Sequence, residues 1–263
     1  MIRLIASDLD GTLVPEGGSV LTPEYYDVIR ELKKKGIIFI AASGRGLPSA
    51  RKLLQPVSED VYFLTEEGAY GSWRDKILFE TTLDEKVAER VIRYTRDHWK
   101  DILILRSTAE KLLVEADDPS VIPGILGGYG MEWESVRNLE TIHVPSMKIA
   151  VHWDREDAAK EAAALQRVAG EHASVVVSGV HWADIVPPTV SKGGGLRKFQ
   201  QLLGISKEET MVFGDNLNDI SMFREAAVSY AVPEARPEVK DAAVKITESR
   251  TKDGVLKIMK TLL

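Results

Sequence analysis

The sequence contains no cysteine. Disulfide bonds, thiolate catalysis and zinc or iron–sulfur sites built on cysteine are therefore excluded. The chain also lacks any run that approaches the ~20 apolar residues of a membrane span. No basic segment followed by an apolar core, the mark of a signal peptide, stands at its start. We therefore expect a cytoplasmic protein without a membrane partner.

An excess of positive charge is also missing. The formal net charge is −6, so neither nucleic acid nor an anionic membrane is expected as the main partner. A small phosphorylated metabolite remains compatible, because local positive groups and a metal can hold one. No Gly-Lys-Ser/Thr phosphate loop is present, which excludes P-loop ATP chemistry. The five histidines lack the spacing of a zinc site.

What the chain does contain is the composition of a soluble globular protein, with 44% hydrophobic and 28% charged residues. Its 263 residues suffice for one large or two ordinary domains. Near the start, the apolar run Ile2–Ala6 precedes Asp8-Leu9-Asp10-Gly11-Thr12. Such a run is typical of a strand buried on both faces of a parallel sheet.

Two carboxylates one residue apart thus follow a predicted buried strand. Ligands of open α/β sheets bind at the carboxyl ends of the strands, so Asp8 and Asp10 are placed for chemistry. A solvated turn is the plain alternative, since Asp and Gly are favoured in turns. A calcium loop does not fit, because Leu13 and Ser19 stand where its glycine and glutamate would be needed.

Polar groups follow two further predicted strands of the same kind. Ile37–Ala42 leads into Ser43-Gly44-Arg45, and Met211–Gly214 leads into Asp215-Asn216-Leu217-Asn218-Asp219. A hydroxyl and a glycine amide ahead of a helix can hold a phosphate oxygen, although an ordinary capping serine also explains Ser43. A lysine, Lys192, stands at the head of a predicted helix between these strands.

The order of elements predicts an α/β fold with a doubly wound, mostly parallel sheet and an inserted α+β unit. Apolar strands alternate with amphipathic helices, as in right-handed parallel crossovers. The first of these helices is predicted to start with Thr22 as N-cap and Pro23 as first residue. Residues 1–81 and 187–263 form the predicted core domain, and residues 82–186 form the insertion, in which Asp154 is predicted to cap an alanine-rich helix.

Taken together, these motifs resemble the haloacid dehalogenase superfamily of phosphohydrolases, in its Cof-type group (subclass IIB, with a C2-type α/β cap). The segments that carry the resemblance, in chain order, are Asp8-Leu-Asp-Gly-Thr12, Ser43-Gly-Arg45, Ser191-Lys192-Gly193 and Gly214-Asp-Asn-Leu-Asn-Asp219. The resemblance spans nearly the whole chain and implies a Rossmann-like core with an inserted cap that acts as a substrate-specificity lid.

The resemblance implies Mg²⁺-dependent hydrolysis of a small phosphate monoester, in particular a sugar phosphate, through an aspartyl-phosphate. Asp8 would be the nucleophile and Asp10 the general acid and base. The phosphate would be bound by Ser43, Gly44, Lys192 and Asn218. The Mg²⁺ would be held by Asp8, by the backbone carbonyl of Asp10, by Asp215, and by Asp219 directly or from the second coordination shell.

Two residues near these motifs need separate comment. Arg45 is interpreted as a surface or ion-pairing arginine rather than a catalytic one. Relatives commonly have Asn-Gly-Ala after the third strand, whereas this chain has Glu67-Gly68-Ala69. A glutamate there would repel an anionic leaving group or accept a hydrogen bond from a sugar hydroxyl, which puts transferred substrate assignments in doubt.

Two alternative functions remain open at this point. One is a sugar phosphomutase of the same superfamily, which returns the phosphoryl group to a sugar. The other is a regulatory protein that binds a phosphorylated metabolite without turnover, against which the intact Asp8, Asp10, Lys192 and Asp215 argue. We expect a monomer or a weak homo-oligomer.

Overall fold

The computed structural model describes residues 1–108, 111–153 and 159–263. The chain divides into two compact units, Met1–Phe79 with Ser191–Leu263 and, inserted between them in sequence, Glu80–Val190. The junctions thus lie at 79/80 and 190/191, where the sequence analysis placed them at 81/82 and 186/187. Residues 187–190 form a turn closed by a hydrogen bond from Val190 N to Pro187 O, and they belong to the second unit.

Strands and helices are numbered along the chain. The strands are β1 (Leu4–Ser7), β2 (Ile38–Ala42), β3 (Val61–Thr65), β4 (Tyr70–Trp73), β5 (Lys76–Glu80), β6 (Ile102–Ser107), β7 (Leu112–Ala116), β8 (Trp133–Ser135), β9 (Lys148–Trp153), β10 (Ser174–Val177), β11 (Trp182–Val186), β12 (Thr210–Gly214), β13 (Val228–Ala231) and β14 (Lys245–Ile246). The α-helices are α1 (Glu24–Lys34), α2 (Leu47–Leu53), α3 (Glu85–His98), α4 (Ile122–Leu126), α5 (Ala159–Ala169), α6 (Lys192–Leu203), α7 (Ile220–Phe223), α8 (Pro237–Ala242) and α9 (Gly254–Lys260).

The first unit is built on a mostly parallel sheet. Its described strands follow the order β14-β13-β12-β1-β2-β3-β4-β5. The pairs from β14 to β3 are parallel, and β4 is antiparallel to β3. Leu4, Ile5 and Ala6 of β1 are fully buried, as a central strand covered on both faces requires. The predicted α/β fold with a mostly parallel sheet is confirmed.

The strand order brings the predicted site residues to one edge of this sheet. β1 lies between β12 and β2 and is parallel to both. The residues that directly follow these three strands are therefore neighbours at the carboxyl edge, namely Asp8, Ser43 and Asp215. The strands are buried because they are apolar. The polar residues that follow them therefore lie together at the carboxyl edge of the sheet, where ligands of such sheets bind.

The helices of this unit differ from the sequence predictions at some of their ends. α1 buries Tyr25, Val28, Ile29 and Leu32 as predicted, but it begins at Glu24, and Pro23 occupies the N-cap position without a side-chain cap. The prediction of Thr22 as N-cap was thus wrong by one residue, because the Thr22 hydroxyl donates to Asp253 Oδ1 (3.4 Å) instead.

The second unit has a sheet of opposite character. Its described strands follow the order β10-β11-β9-β6-β7-β8, antiparallel except for the parallel pair of β7 and β8. One face packs with α3 and α5 around Trp153, and a smaller cluster packs with α4. The predicted cap residue Asp154 lies outside the described residues. Across the three described ranges, no helix has both the length and the apolar character that crossing a membrane requires.

Candidate active site

Asp8 and Lys192 form the centre of the site. Asp8 follows β1 and is 4% exposed, and Lys192, the first residue of α6, is 1% exposed. Lys192 Nζ donates to Asp8 Oδ1 (2.6 Å) and to Asp219 Oδ1 (2.8 Å). The lysine therefore bridges two carboxylates that come from loops on adjacent strands, as a charge-neutralising group of this site must.

Asp219 is fixed on its other side by the backbone. Its Oδ2 accepts hydrogen bonds from Asp215 N (2.9 Å) and Asn216 N (3.1 Å). Both of its oxygens thus have donors, and the residue is fully buried. This arrangement suits a residue that positions the loop and Lys192 better than one that offers an open ligand oxygen.

Asp215 faces the loop after β1. Thr12 Oγ1 donates to Asp215 Oδ1 (2.9 Å). Gly11 has φ of +80°, and a Cβ built on it would lie 2.2 Å from Asp215 Oδ2. Only glycine both adopts this backbone conformation and leaves room for the carboxylate, which explains why glycine follows Asp10.

Burial and mutual repulsion of the carboxylates govern the protonation of this cluster. Burial raises the pKa of Asp8 well above its ordinary value; Lys192 opposes that rise, and the neighbouring carboxylates add to it. Burial, followed by the charge of Asp219, raises the pKa of Asp215 to about 7. For Lys192, burial alone would lower the pKa, but Asp219, Asp8 and Glu67 raise it well above its ordinary value.

The cluster has the properties of a divalent-cation site. One ligand oxygen from each of Asp8, Asp215 and Asp219 can be chosen so that all lie within 4.8 Å of one another. Three carboxylates face a single lysine, which leaves a surplus of negative charge in a buried place. Asp8 Oδ2 is buried and finds no hydrogen-bond donor among the described residues. Oxygen ligands and a surplus of negative charge fit Mg²⁺.

The interpretation of Arg45 as a surface residue was wrong, whereas its alternative as an ion-pairing residue describes the structure. Arg45 is 3% exposed. Its Nε donates to Asp10 Oδ2 and its Nη2 to Asp10 Oδ1, both at 2.6 Å. Gly17 N adds a third donor to Asp10 Oδ1 (3.0 Å). The predicted acid/base residue is thereby held as a forked ion pair.

The predicted phosphate-binding residues lie around the same strand ends. Ser43 is 1% exposed, and its hydroxyl accepts from Arg45 N (3.1 Å). Gly44 is the next residue in that loop. Asn218 Nδ2 donates to Glu67, at 3.2 Å to Oε1 and 3.0 Å to Oε2, while Asn218 Oδ1 is buried and has no partner within residues 1–108, 111–153 and 159–263. The amide predicted to bind phosphate is therefore engaged by a carboxylate of this chain.

The turn that carries Glu67 is strained. Glu66 and Glu67 both have positive φ, +54° and +58°, and Gly68 follows at +99°. A non-glycine residue in the left-handed region costs on the order of 1–3 kcal/mol. At Gly68 a Cβ would lie 2.2 Å from Ser191 O, so the turn packs tightly against the start of α6. Surrounding contacts hold Glu67 in place, and it is 1% exposed.

Sequence reasoning missed three features of this site. Arg45 was not predicted to belong to the site. Its position in the same loop as Ser43 could have indicated that it does. Thr12 lies in the first motif, but its bond to Asp215 joins loops 203 residues apart. The contact between Glu67 and Asn218 joins residues 151 positions apart, and nothing local in the sequence indicates it.

Two polar groupings among the described residues of the second unit bear on the search for a functional site. Lys148 Nζ donates to Asp184 Oδ2 (3.0 Å), and both side chains are nearly buried. A second set, which we call the Glu85 cluster, consists of Glu85, Glu89 and His143. His143 Nδ1 lies 3.3 Å from a carboxylate oxygen of each glutamate.

Arg106 stabilises the backbone beside the Glu85 cluster. It is fully buried and pairs with Glu85. Its Nη1 donates to Ile142 O and its Nη2 to Val144 O, both at 2.6 Å. These bonds tie the segment before β9 to the sheet, so the arginine has a structural role in this unit.

Comparison with known proteins places this site in context. The model of the haloacid dehalogenase-like hydrolases matches residues 5–259. The chain is 27% identical to the 5-amino-6-(5-phospho-D-ribitylamino)uracil phosphatase of Escherichia coli, over 100% of this chain and 96% of that protein. It is 26% identical to phosphoglycolate phosphatase 1 of Saccharolobus solfataricus, with the same coverage. A crystal structure from Eubacterium rectale superposes with a TM-score of 0.85 at 30% identity and covers 100% of this chain and 99% of its own.

Proposed function

The chain belongs to the haloacid dehalogenase-like hydrolase family, and we propose that it is a Mg²⁺-dependent phosphatase of small phosphate monoesters that acts through Asp8. The curated relatives named above are phosphatases of small phosphorylated compounds. One observation carries the proposal. Asp8 Oδ2 is buried and has no donor among the described residues, while Oδ1 is fixed by Lys192. A carboxylate held in this way presents one oxygen for attack.

In the first step, Asp8 Oδ2 attacks phosphorus, the bond between phosphorus and the ester oxygen breaks, and the leaving alkoxide takes a proton from Asp10. The products are an aspartyl-phosphate on Asp8 and a free alcohol. Lys192, already 2.6 Å from Asp8 Oδ1, counters the negative charge that the attacking carboxylate and the phosphate bring together.

In the second step, Asp10 takes a proton from water, and the hydroxide that forms attacks phosphorus and releases Asp8 with inorganic phosphate. The described arrangement suits this base role, because Arg45 and Gly17 N donate to the Asp10 carboxylate. The acid role of the first step requires Asp10 to carry a proton and therefore to loosen its ion pair with Arg45.

Asp8 and Asp215 would hold the Mg²⁺, together with the backbone carbonyl of Asp10. Asp219 would position Lys192 and the backbone of the Asp215 loop, to which it is hydrogen-bonded. When bound, the cation would offset the repulsion between carboxylates and substrate phosphate. Ser43, the Gly44 amide and the side-chain amide of Asn218 would bind the phosphoryl oxygens. We propose the second unit as the cap that selects the leaving group, and sugar phosphates as the substrate class, in line with the phosphoribityl group named for the Escherichia coli relative.

Release of inorganic phosphate from a panel of esters tests this function. Ribose 5-phosphate, glucose 6-phosphate, phosphoglycolate and AMP would be assayed with Mg²⁺, with native protein beside Asp8→Asn. We expect release by the native protein and a loss of at least about 10⁴-fold in the variant, since the nucleophile is removed.

The product and the metal supply the controls for that assay. Chelation of Mg²⁺ is expected to stop release, and its return to restore it. Equal release by native protein and Asp8→Asn would refute the nucleophile. Formation of an isomeric sugar phosphate in place of free phosphate would identify a mutase, and no reaction with any ester would favour a regulatory binding protein.

A further inference from the structure

We infer that Glu67 is a resident competitor of phosphate: its carboxylate occupies the amide of Asn218 that the phosphoryl group needs, and so weakens the binding of phosphate at this site. The inference rests on the proposed function, because it takes the phosphate-binding role of Asn218 from there. It assigns to Glu67 a role in setting affinity for the phosphoryl group and in favouring the release of inorganic phosphate.

The first argument is the contact itself. Both oxygens of Glu67 lie at hydrogen-bond distance from Asn218 Nδ2, at 3.2 and 3.0 Å. A carboxylate only accepts, so the amide must direct its nitrogen towards Glu67. A phosphoryl oxygen is likewise an acceptor and requires the same donor. Asn218 Nδ2 carries two N–H groups, and both oxygens of Glu67 lie against that nitrogen, so a phosphoryl oxygen must share the amide with a carboxylate that is already bound to it.

The second argument is the unused side of the amide. Asn218 Oδ1 is buried and has no partner among the described residues. A buried amide oxygen without a hydrogen bond costs free energy. A strong hydrogen bond from the amide nitrogen would offset this cost. A bond to a charged acceptor supplies that, since such bonds are about twice as strong as neutral ones.

The third argument is the charge around Lys192. Lys192 Nζ donates to the carboxylates of Asp8 and Asp219, and Glu67 is bound by Asn218, the residue before Asp219. Glu67 thus adds a further carboxylate beside those that already share Lys192. A phosphate dianion that enters this place is repelled by Glu67 as well as deprived of the Asn218 amide.

The fourth argument is that the fold keeps Glu67 there at a cost. Glu66 and Glu67 are both held at positive φ, and Gly68 packs against Ser191 too closely to admit a side chain. Backbone strain of this kind persists where surrounding structure over-determines it, and it concentrates at functional sites. Glu67 is 1% exposed, so its carboxylate lies in the buried site and not in solvent.

Titration calorimetry with inorganic phosphate at fixed Mg²⁺ tests the inference on the native protein and on Glu67→Gln. Glutamine keeps the shape of the side chain and removes its charge. We expect phosphate to bind about tenfold more tightly to Glu67→Gln, because a neutral acceptor competes less well for the amide. Unchanged or weaker binding overturns the inference.

Glu66→Gln is the matched control. Glu66 is the preceding residue of the same strained turn and is also buried, but its Oε1 lies beside Gly46, 2.9 Å from where a Cβ of that residue would be. Phosphate affinity is expected to stay within about twofold of the native value there. A gain equal to that of Glu67→Gln would mean that any lost carboxylate has this effect, and would overturn the specific role of Glu67.

A double-mutant cycle separates occupation of the amide from simple charge repulsion. In an Asn218→Ala background the donor is gone, so the gain from Glu67→Gln is expected to shrink to less than about half of its value on the logarithmic affinity scale. An equal gain in both backgrounds would overturn the competition for Asn218.

If Glu67→Gln does not fold, Glu67→Asp is measured in its place. This variant withdraws the carboxylate by one methylene. Tighter phosphate binding supports the inference, and unchanged or weaker binding overturns it.

The ester assay distinguishes failure of this inference from failure of the proposed function. If the native protein hydrolyses phosphate esters and Glu67→Gln binds phosphate no more tightly, only the inference fails. If the native protein hydrolyses no ester, the proposed function fails, and with it the inference. In an active Glu67→Gln variant, KM is expected to fall without a rise in kcat, a split that a purely structural defect would not give.

Discussion

The two units each contain three groups close enough to hold a cation, and the difference between them is instructive. Asp8, Asp215 and Asp219 in the first unit and the Glu85 cluster in the second both satisfy the same 4.8 Å spacing. The first set is largely buried and shares one lysine. In the second, His143 is 62% exposed and becomes a cation itself when protonated, and Arg106 already pairs with Glu85.

Spacing alone therefore does not identify a metal site. Burial, followed by the negative charge of Asp219, raises the pKa of Asp215 to about 7, and a divalent cation would offset the cost of ionising this carboxyl group. The Glu85 cluster has local positive charge and water to screen its carboxylates, so it has little to gain from a cation. Two clusters that satisfy the same distance criterion thus differ in the chemistry they favour, because their burial and their balance of charge differ.

The largest difference between the two clusters is expected when one carboxylate of each is neutralised. Asp215→Asn removes a proposed metal ligand from the buried cluster, and we expect kcat/KM for phosphate esters to fall at least about 10³-fold. Glu89→Gln makes the same change in the Glu85 cluster and is expected to leave kcat/KM within about twofold. Steady-state phosphate release measures both. Comparable losses in the two variants would contradict the distinction between the clusters.

The sequence predicted the buried cluster well and its surroundings poorly. The apolar runs before Asp8, Ser43 and Asp215 determine the central parallel strands, and adjacent strand ends must meet at one edge of a sheet. Local signals therefore sufficed to bring these residues together. The family resemblance supplied roles for them, and the predicted family and phosphatase class are confirmed by the comparisons.

Other features depend on contacts that no local pattern encodes. The burial of Arg45 against Asp10 and the bond from Asn218 to Glu67 arise only when distant loops pack together. The positive φ of Glu66 goes against the preference of a non-glycine residue, so propensity argues against the turn that the tertiary structure imposes. Such local violations are expected where function or close packing overrides propensity.

A second prediction concerns pH and stability. The pKa of Asp215 is raised from 3.8 to about 7 in the folded protein, so its protonated form stabilises the fold at low pH. In the absence of Mg²⁺, that stability is lost as the pH rises from about 4 through 7. Because the ionised carboxylates hold the cation, we expect the increase in Tm caused by Mg²⁺ to grow from pH 5 to pH 8. At saturating Mg²⁺ it would reach about 5–10 °C.

Thermal unfolding at the two pH values, with and without Mg²⁺, measures this effect. Asp215→Asn is expected to flatten the pH dependence of the metal-free protein and to lose most of the Mg²⁺ response. Glu89→Gln is the matched control and keeps both. A Mg²⁺ response that is larger at pH 5 than at pH 8 would show that the sign of the linkage is wrong.

A smaller effect is expected from the buried arginine beside each cluster. Arg45→Lys keeps the charge but loses the forked contact that orients Asp10, so we expect kcat to fall about tenfold with KM little changed. Arg106→Lys loses bonds to Ile142 O and Val144 O and is expected to lower Tm while kcat stays near native. Steady-state kinetics together with thermal unfolding separates the two. Loss of kcat in Arg106→Lys alone would reverse the assignment.

The smallest effect is expected at His143, where the comparison between the clusters is most easily broken. Its side chain is 62% exposed, and exposed ion pairs contribute at most about 1 kcal/mol. His143→Asn should therefore change Tm by no more than about 2–4 °C. Zn²⁺ is a cation that both imidazole and carboxylate ligands bind. In an Asp215→Asn background we expect that any effect of Zn²⁺ on Tm is the same with and without His143→Asn. A Zn²⁺-dependent increase that vanishes with His143→Asn would establish a second metal site in the Glu85 cluster, and charge surplus would no longer separate the two units.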